Sequence, residues 1–543
     1  MIDFLLKLIL IILIGISGLA VVLAIIIFFV MLPTCLHLRE QLKKPYLFLK
    51  RFLGACLPHF CHHLTIDLSI GMAIALVILY FHNYPFLLDI EDAGMDWVMQ
   101  IRQKQIPSIQ EKNIPPFVVL DIDENTHKEW KEPLFTPRRH LKNLIQAAVK
   151  GEARLVIVDI DLSQKTPTEG LELPKGFERH PYDQELLDYL QSYVTSCKTP
   201  QGNSTCPLII LARNFYLDSP ENLLLKPRIG FLEENLKQPE PYIQWASALF
   251  YSSHDQSVRR WSLWQPTCLR PEGGRELKTE ITPSMELLAA VLIRNNSTPQ
   301  ESHKMLAIAL EPFKPVDCAN TEYDFPRVEE IVSIGELKIN TDIKGIHQRI
   351  VYSMPWLENG KPPVLPHPVC SEGKCDAGNP PILTIFPAHP FAQSDFPEEA
   401  LKQNFKDKVV VIGGSYRGGS DIHKTPLGEM PGYMIVINAV HSLLQYEMIK
   451  TLPSIAKLSI EALLIICMSF MLVCFHSLWG MIFAGVVVIF VLLPGSIVLF
   501  NYGVWLDFAL PLVAVLIHQF HHLHNELKEL EKLRCHNKSP ENV

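Results

Sequence analysis

Apolar residues occur in two kinds of run along this chain. The first kind is long and nearly uncharged. Residues 4–32 carry one charge, Lys7, and about 20 apolar residues suffice to cross the hydrocarbon core of a bilayer, so a membrane span is predicted there. Residues 64–81 form a second such run, with Asp67 near its start, and 458–475, 478–500 and 504–520 form three more. The second kind is short and rich in β-branched residues: 117–122 (FVVLDI), 154–160 (RLVIVDI), 207–212 (PLIILA) and 408–412 (KVVVI). Runs of that length read as strands buried on both faces. Between or after them, residues 139–150, 184–193 and 433–446 have helical patterning. Alternating strands and helices imply βαβ units. The fold class predicted is an α/β ectodomain with a largely parallel sheet and helices on both faces, plus an α-helical membrane part of about five spans. Residues 215–403 are less regular and are expected to insert further strands and loops.

Charge orders these segments across the bilayer. Arg39, Lys43, Lys44, Lys50 and Arg51 lie between the first two runs against one acid, Glu40, and an excess of Lys and Arg marks the cytoplasmic side. The N-terminus and everything after Phe81 then fall outside. Three closing spans return the C-terminus to the cytoplasm, in agreement with Lys528, Lys532, Arg534 and Lys538 in the tail. The reading divides the chain into a first span (1–33), a basic cytoplasmic loop (34–63), a second span (64–82), an ectodomain (85–453), three spans (456–520) and a short tail (521–543). A cleaved signal peptide has a shorter apolar core than residues 4–32. Hydrophobic residues make up 48% of the 543 and charged residues 20%, which excludes a mainly disordered chain. A net charge of −8 and a pI near 6.2 provide no basic field for nucleic acid.

The ectodomain holds six cysteines, Cys197, Cys206, Cys268, Cys318, Cys370 and Cys375. An even count outside the cytoplasm reads as disulfides, with 15 pairings open. The sequence-local choice joins Cys197 to Cys206, Cys370 to Cys375 and Cys268 to Cys318. Zinc is the weaker alternative, because C-x-x-C spacing and neighbouring histidines are absent. Asp121 and Asp123 end the first strand, and Asp159 and Asp161 the second, so two D-x-D pairs fall at the edge where open α/β sheets bind ligands. They can hold a hard cation, or each can cap a helix or pair with Arg138 or Arg154, the reading preferred here. After the fourth strand, Gly413, Gly414, Ser415 and the residues through Asp421 form a glycine-rich loop able to cradle a small ligand, although a tight turn alone also explains it. It is not a P-loop.

No elbow, zincin helix or kinase motif is present, so neither catalysis nor a cofactor is expected. Cytoplasmic clusters at His59, Cys61, His62 and His63, and at His518, His521, His522 and His524, suit an interface better than a metal. Leu516, Phe520, Leu523, Leu527 and Leu530 make a heptad-like seam that can pair two copies as a homodimer or end the last span.

The order of motifs is similar to that of a known family: DAGMDW, VVLDIDENT, TPRRHLKNLI, DQSVRRW, PSMELLAAVL and KDKVVVIGGSYRGGSDIHKTPLGEMPGYMIVINAV. It resembles the second type of CHASE domain, an extracytoplasmic sensory domain of bacterial cyclases and histidine kinases, over residues 85–453. The last stretch, with Asp421, Thr425 and Asn438, is the most specific. The resemblance implies a bacterial inner-membrane sensor with three closing spans, but only a short tail follows Phe520 where family members carry an output domain. The candidate ligand-binding residues are Asp123, Arg138, Asp159, Gly413, Gly414, Ser415, Asp421, Thr425 and Asn438. The partners expected are the lipid bilayer, an extracytoplasmic small ligand and a separate cytoplasmic signalling protein. An envelope assembly factor without small-molecule sensing is the alternative, and a hydrolase using Asp121, Asp123 or Asp159 the least favoured.

Overall fold

The structure is a computed structural model that describes most of residues 66–105, 114–168, 179–198, 206–217, 225–236, 240–269, 278–315, 330–341, 347–370, 381–419 and 421–451, together with Cys318 and parts of 459–531. The chain divides into two compact units, Met99–Met448 and the pair of segments Met1–Val98 and Ile449–Val543.

The larger unit is built on a seven-stranded sheet. Its strands are β1 (Phe117–Ile122), β2 (Leu155–Val158), β3 (Leu208–Arg213), β4 (Ile243–Ser247), β5 (His367–Val369), β6 (Leu383–Pro387) and β7 (Val409–Gly414). Their spatial order is β5-β6-β1-β7-β2-β3-β4. All neighbours run parallel except β5, which is antiparallel to β6. The four strands predicted from β-branched runs are all present, and β4, β5 and β6 come from the irregular stretch. β7, the last in sequence, lies at the centre between β1 and β2.

Alternation places successive side chains on opposite faces. Val118, Leu120, Val156, Val158, Val410 and Ile412 pack on one face into a single core. Above them lie Leu141, Leu144 and Ile145 of helix α1 (Arg138–Lys150), Leu186, Leu187 and Leu190 of α2 (Pro181–Cys197), and Leu401 and Phe405 of a helix at Glu398–Phe405. On the other face Val119, Leu155, Ile157, Val409 and Val411 are equally buried. Helices α3 (Met285–Arg294) and α4 (Gly432–Tyr446) pack against each other there, α3 touching β4 and α4 touching β7. The chain therefore leaves β1 and β2 toward one face and β7 toward the other. Such a switch at the carboxyl edge opens a crevice where α/β folds bind ligands.

The five-span membrane part is corrected by the structure. Among the described residues no helix is long and apolar enough to cross a membrane. Leu493–Phe500 is an α-helix. Beyond it Val504 and Trp505 do not begin a helix but pair with Lys450 and Thr451 as a short parallel ladder. The predicted run at 4–32, the basic loop at 34–63 with its His/Cys cluster, and most of 458–492 lie outside the described residues. Of the tail seam, Leu516, Phe520 and Leu527 are exposed, while Leu523 and Leu530, with His518, His521 and His522, also lie outside.

Two disulfides join Cys197 to Cys206 and Cys268 to Cys318, spanning 9 and 50 residues. Cys370 is disulfide-bonded as well, and Cys375 lies outside the described residues. Loop-closure entropy grows with the loop closed, to about 2.5 kcal/mol for the shorter bridge and about 4 kcal/mol for the longer. Replacing both Cys268 and Cys318 by serine is therefore expected to lower the denaturation midpoint more than replacing Cys197 and Cys206, as read by chemical unfolding of the oxidised chain.

Candidate functional site

The register brings the candidate acids to one edge. Asp121 of β1 lies opposite Gly413 of β7, and Ile122 opposite Gly414. From the other side, the backbone N–H of Asp159 donates to Ile412 O at 2.9 Å. The glycine-rich loop thus emerges between the two D-x-D pairs.

Close packing shapes that loop. A β-carbon on Gly413 would sit 2.8 Å from Cβ of Tyr433 in the first turn of α4, so only glycine lets the helix approach the strand this closely. Ser415 follows, its backbone N–H donating to Ile122 O at 3.2 Å and its hydroxyl to Asp121 Oδ2 at 2.7 Å. Tyr416 stacks on His127 with ring centroids 4.1 Å apart and turns the loop into a wall between two cavities.

The larger cavity, about 1100 Å³, lies on the Asp121 side. Asp121, Ser415 and Trp356 line it, with His389, Arg417 and Ile422 around them. Asp121 is 2% exposed. Burial pushes its carboxyl up to about 7, the Ser415 hydrogen bond opposing and the charge of Asp123 adding to the rise. Burial also raises the Tyr433 hydroxyl, with a further contribution from Asp121. Asp121 Oδ1, Tyr433 Oη and Trp356 Nε1 are sealed from water without a hydrogen bond of ordinary geometry. The three groups are one another's neighbours, the Tyr433 hydroxyl interacting with the Asp121 carboxyl and the Trp356 indole, so they form a buried polar cluster whose internal hydrogen bonds are imperfect.

The smaller cavity, about 340 Å³, lies across the loop and is lined by Asp159, Asp161, Asn214, Tyr416 and Asp421 among others. Burial raises the Asp159 carboxyl well above its usual range, and Asp421 and Glu286 raise it further. Glu286, in the first turn of α3, is 1% exposed and is pushed up to about 8 by burial. Asp421 contacts His423 Nε2 at 3.0 Å. Among the described residues no group of three or more His, Cys, Asp or Glu side chains is disposed to hold a metal ion.

A family profile described as CHASE2 domain matches residues 72–474. The chain belongs to the CHASE2 family. CHASE2 domains are extracellular sensory domains. No curated protein and no solved structure matches the chain.

Within this CHASE2 domain the residues singled out in the sequence divide by role. Ser415 lines the larger cavity and Gly414 the smaller, while Gly413 lies against Tyr433. Asp123 lines the larger one but also caps the helix Glu124–Glu129, its Oδ1 accepting the Thr126 N–H at 2.9 Å. Asp159 and Asp421 share the smaller one. Three others are bound up in the scaffold. Arg138 is 1% exposed, and its Nη2 donates to Gln164 O at 3.0 Å and Asp161 O at 3.3 Å, clamping the loop after β2. Thr425 closes a hairpin turn by donating to Gly428 O at 2.6 Å. Asn438 is fully buried, and its Oδ1 accepts the N–H groups of Ser353 and Met354 at 2.9 Å while its Nδ2 donates to Met354 O and Met434 O at 3.0 and 2.9 Å. Sequence reading missed Trp356, Tyr433 and Glu286. Glu286, the one acid in a helix that is apolar up to its final Arg294, was visible as an anomaly, and Tyr433 follows the Met-Pro-Gly signature directly. Trp356 comes from an irregular segment with no periodic signal.

Two outcomes are expected. Asp121 and Glu286 have folded-state values near 7 and 8, above the ordinary 3.8 and 4.5, so the folded state holds their protons more tightly than the unfolded chain. Stability is then fully present below about pH 4 and declines as pH rises to about 8, and each tenfold difference in proton affinity between the two states corresponds to about 1.4 kcal/mol. Chemical denaturation from pH 4 to 8 should show this decline, reduced in Asp121→Asn and in Glu286→Gln. Asn438→Ala should cost at least about 2 kcal/mol by the same assay, because it strands buried backbone groups of Ser353 and Met354.

Proposed function

We propose that this CHASE2 domain is the ligand-binding part of an extracytoplasmic sensor, and that a small molecule binds in the larger cavity over Asp121. The observation that carries the reading is the coincidence of a roomy cleft at the sheet's switch point with a buried carboxyl pushed up to about 7 in a buried polar cluster with Tyr433 and Trp356. Largely pre-formed clefts with a few convergent polar groups and perturbed acids are the usual small-molecule sites. A ligand that satisfies Asp121, Trp356 or Tyr433 favours the state in which it does so, and only such differential affinity moves an equilibrium between two packings. Tyr433 lies in the first turn of α4, and we take α4 as the element that carries the change onward to a separate signalling protein. The disulfides support an oxidising compartment.

Binding rather than catalysis is the role proposed. The Ser415 hydroxyl donates to Asp121, and a nucleophile needs a base held by a third group.

A thermal-shift screen of the oxidised full chain against ions, amino acids, amines, sugars and envelope fragments tests the reading. A ligand at 100 times its Kd adds about 2.7 kcal/mol to folded-state stability, a rise of several degrees. The shift should vanish in Asp121→Asn and persist in Asp421→Ala, whose carboxylate lines the smaller cavity. A uniformly flat screen, or a shift that ignores Asp121→Asn, contradicts the proposal.

A further inference from the structure

The charge of the larger cavity deepens the proposed function, on which this inference rests. Asp121, Asp123, Glu124, Glu129 and Glu429 line it, against Lys128, Arg417 and the imidazole of His389. Lys128 is already engaged, its Nζ 3.8 Å from Glu124. The opposite wall is apolar and stiff, with Pro362, Pro363, Val364 and Leu365 facing Ile422. The floor holds Asp121, whose buried Oδ1 has no hydrogen bond of ordinary geometry, and the Trp356 indole, 7% exposed. A cleft lined mainly by one sign of charge within low-dielectric walls focuses the field on its contents. An indole ring adds a quadrupole that also favours a cation.

We infer that the larger cavity takes an organic cation, a small aliphatic amine whose charged end pairs with the carboxylates and whose hydrocarbon body lies along the proline wall. An ammonium carries three donors and no acceptor, which matches the acceptor surplus of this site. A positive charge beside the floor of the cavity also favours the ionised Asp121 carboxylate. A dicarboxylate of the same length would meet repulsion from Glu429, Glu129 and Asp123, and a diol would forgo the charge.

Isothermal titration calorimetry of the full chain at low salt distinguishes these, with 1,5-diaminopentane, 1,5-pentanediol and glutarate as probes of equal length. The diamine should bind, the diol more weakly and glutarate not at all. Removing an exposed carboxylate in Glu429→Gln or Glu129→Gln, far from the folded core, should weaken the diamine about two- to fivefold each, and added salt should weaken it further. Equal or tighter binding of the diol or glutarate, or an affinity unchanged in the Glu429→Gln/Glu129→Gln double variant, would overturn the inference. A non-cationic ligand whose stabilisation is lost in Asp121→Asn would overturn it too while leaving the sensor reading in place. Failure of every chemical class to stabilise the chain would bring down both.

Discussion

The close approach of α4 to β7, with room for no β-carbon on Gly413 beneath Tyr433, is the constraint from which the site follows. It fixes where the glycine-rich loop leaves the sheet, places Ser415 within hydrogen-bond distance of Asp121, and covers the Asp121 carboxyl with an aromatic ring and a helix end. Desolvation then does to Asp121 what it does to any carboxyl withdrawn from water, disfavouring its charged form. The perturbed acid, the wall between the two cavities and the start of the helix that leaves the site are consequences of one packing contact.

That arrangement explains how such a domain can sense. Asp121 Oδ1, Tyr433 Oη and Trp356 Nε1 lie together without hydrogen bonds of ordinary geometry, and a ligand that improves their pairing favours the state that it binds. The scaffold around them is the opposite case. Asn438 and Arg138 have partners on segments remote in sequence, so they hold the edge of the sheet rigid while the site remains adjustable. A rigid frame with one underpaired region confines a ligand-driven change to the elements touching that region, here α4 and the segment around Trp356.

The sheet was legible in the sequence because strands covered on both faces are written as uninterrupted β-branched runs, and β1, β2, β3 and β7 each carry one. The convergence of Asp121, Asp159 and the glycine-rich loop was legible for the same reason, since each ends a strand of one parallel sheet. The division of labour within the candidate residues was not. Nothing in a residue's type says that Asn438 is saturated by backbone groups 84 and 85 positions away, or that Arg138 is sealed beneath a loop. Strands β4 to β6 and Trp356 come from a stretch shaped by long-range packing rather than by periodicity. The five-span expectation fails at Val504–Trp505, where an apolar run extends as a strand rather than beginning a helix.

The central claim is that Asp121 is held near neutrality at the floor of a ligand cleft, and its own titration tests that most directly. Carboxyl carbon resonances of the 13C-labelled full chain, assigned to Asp121 by their loss in Asp121→Asn, should titrate near pH 7. In Ser415→Ala the midpoint should move higher, because the Ser415 hydrogen bond stabilises the charged form. Titration near 4, unmoved by Ser415→Ala, would show a carboxyl in contact with water and would contradict the account.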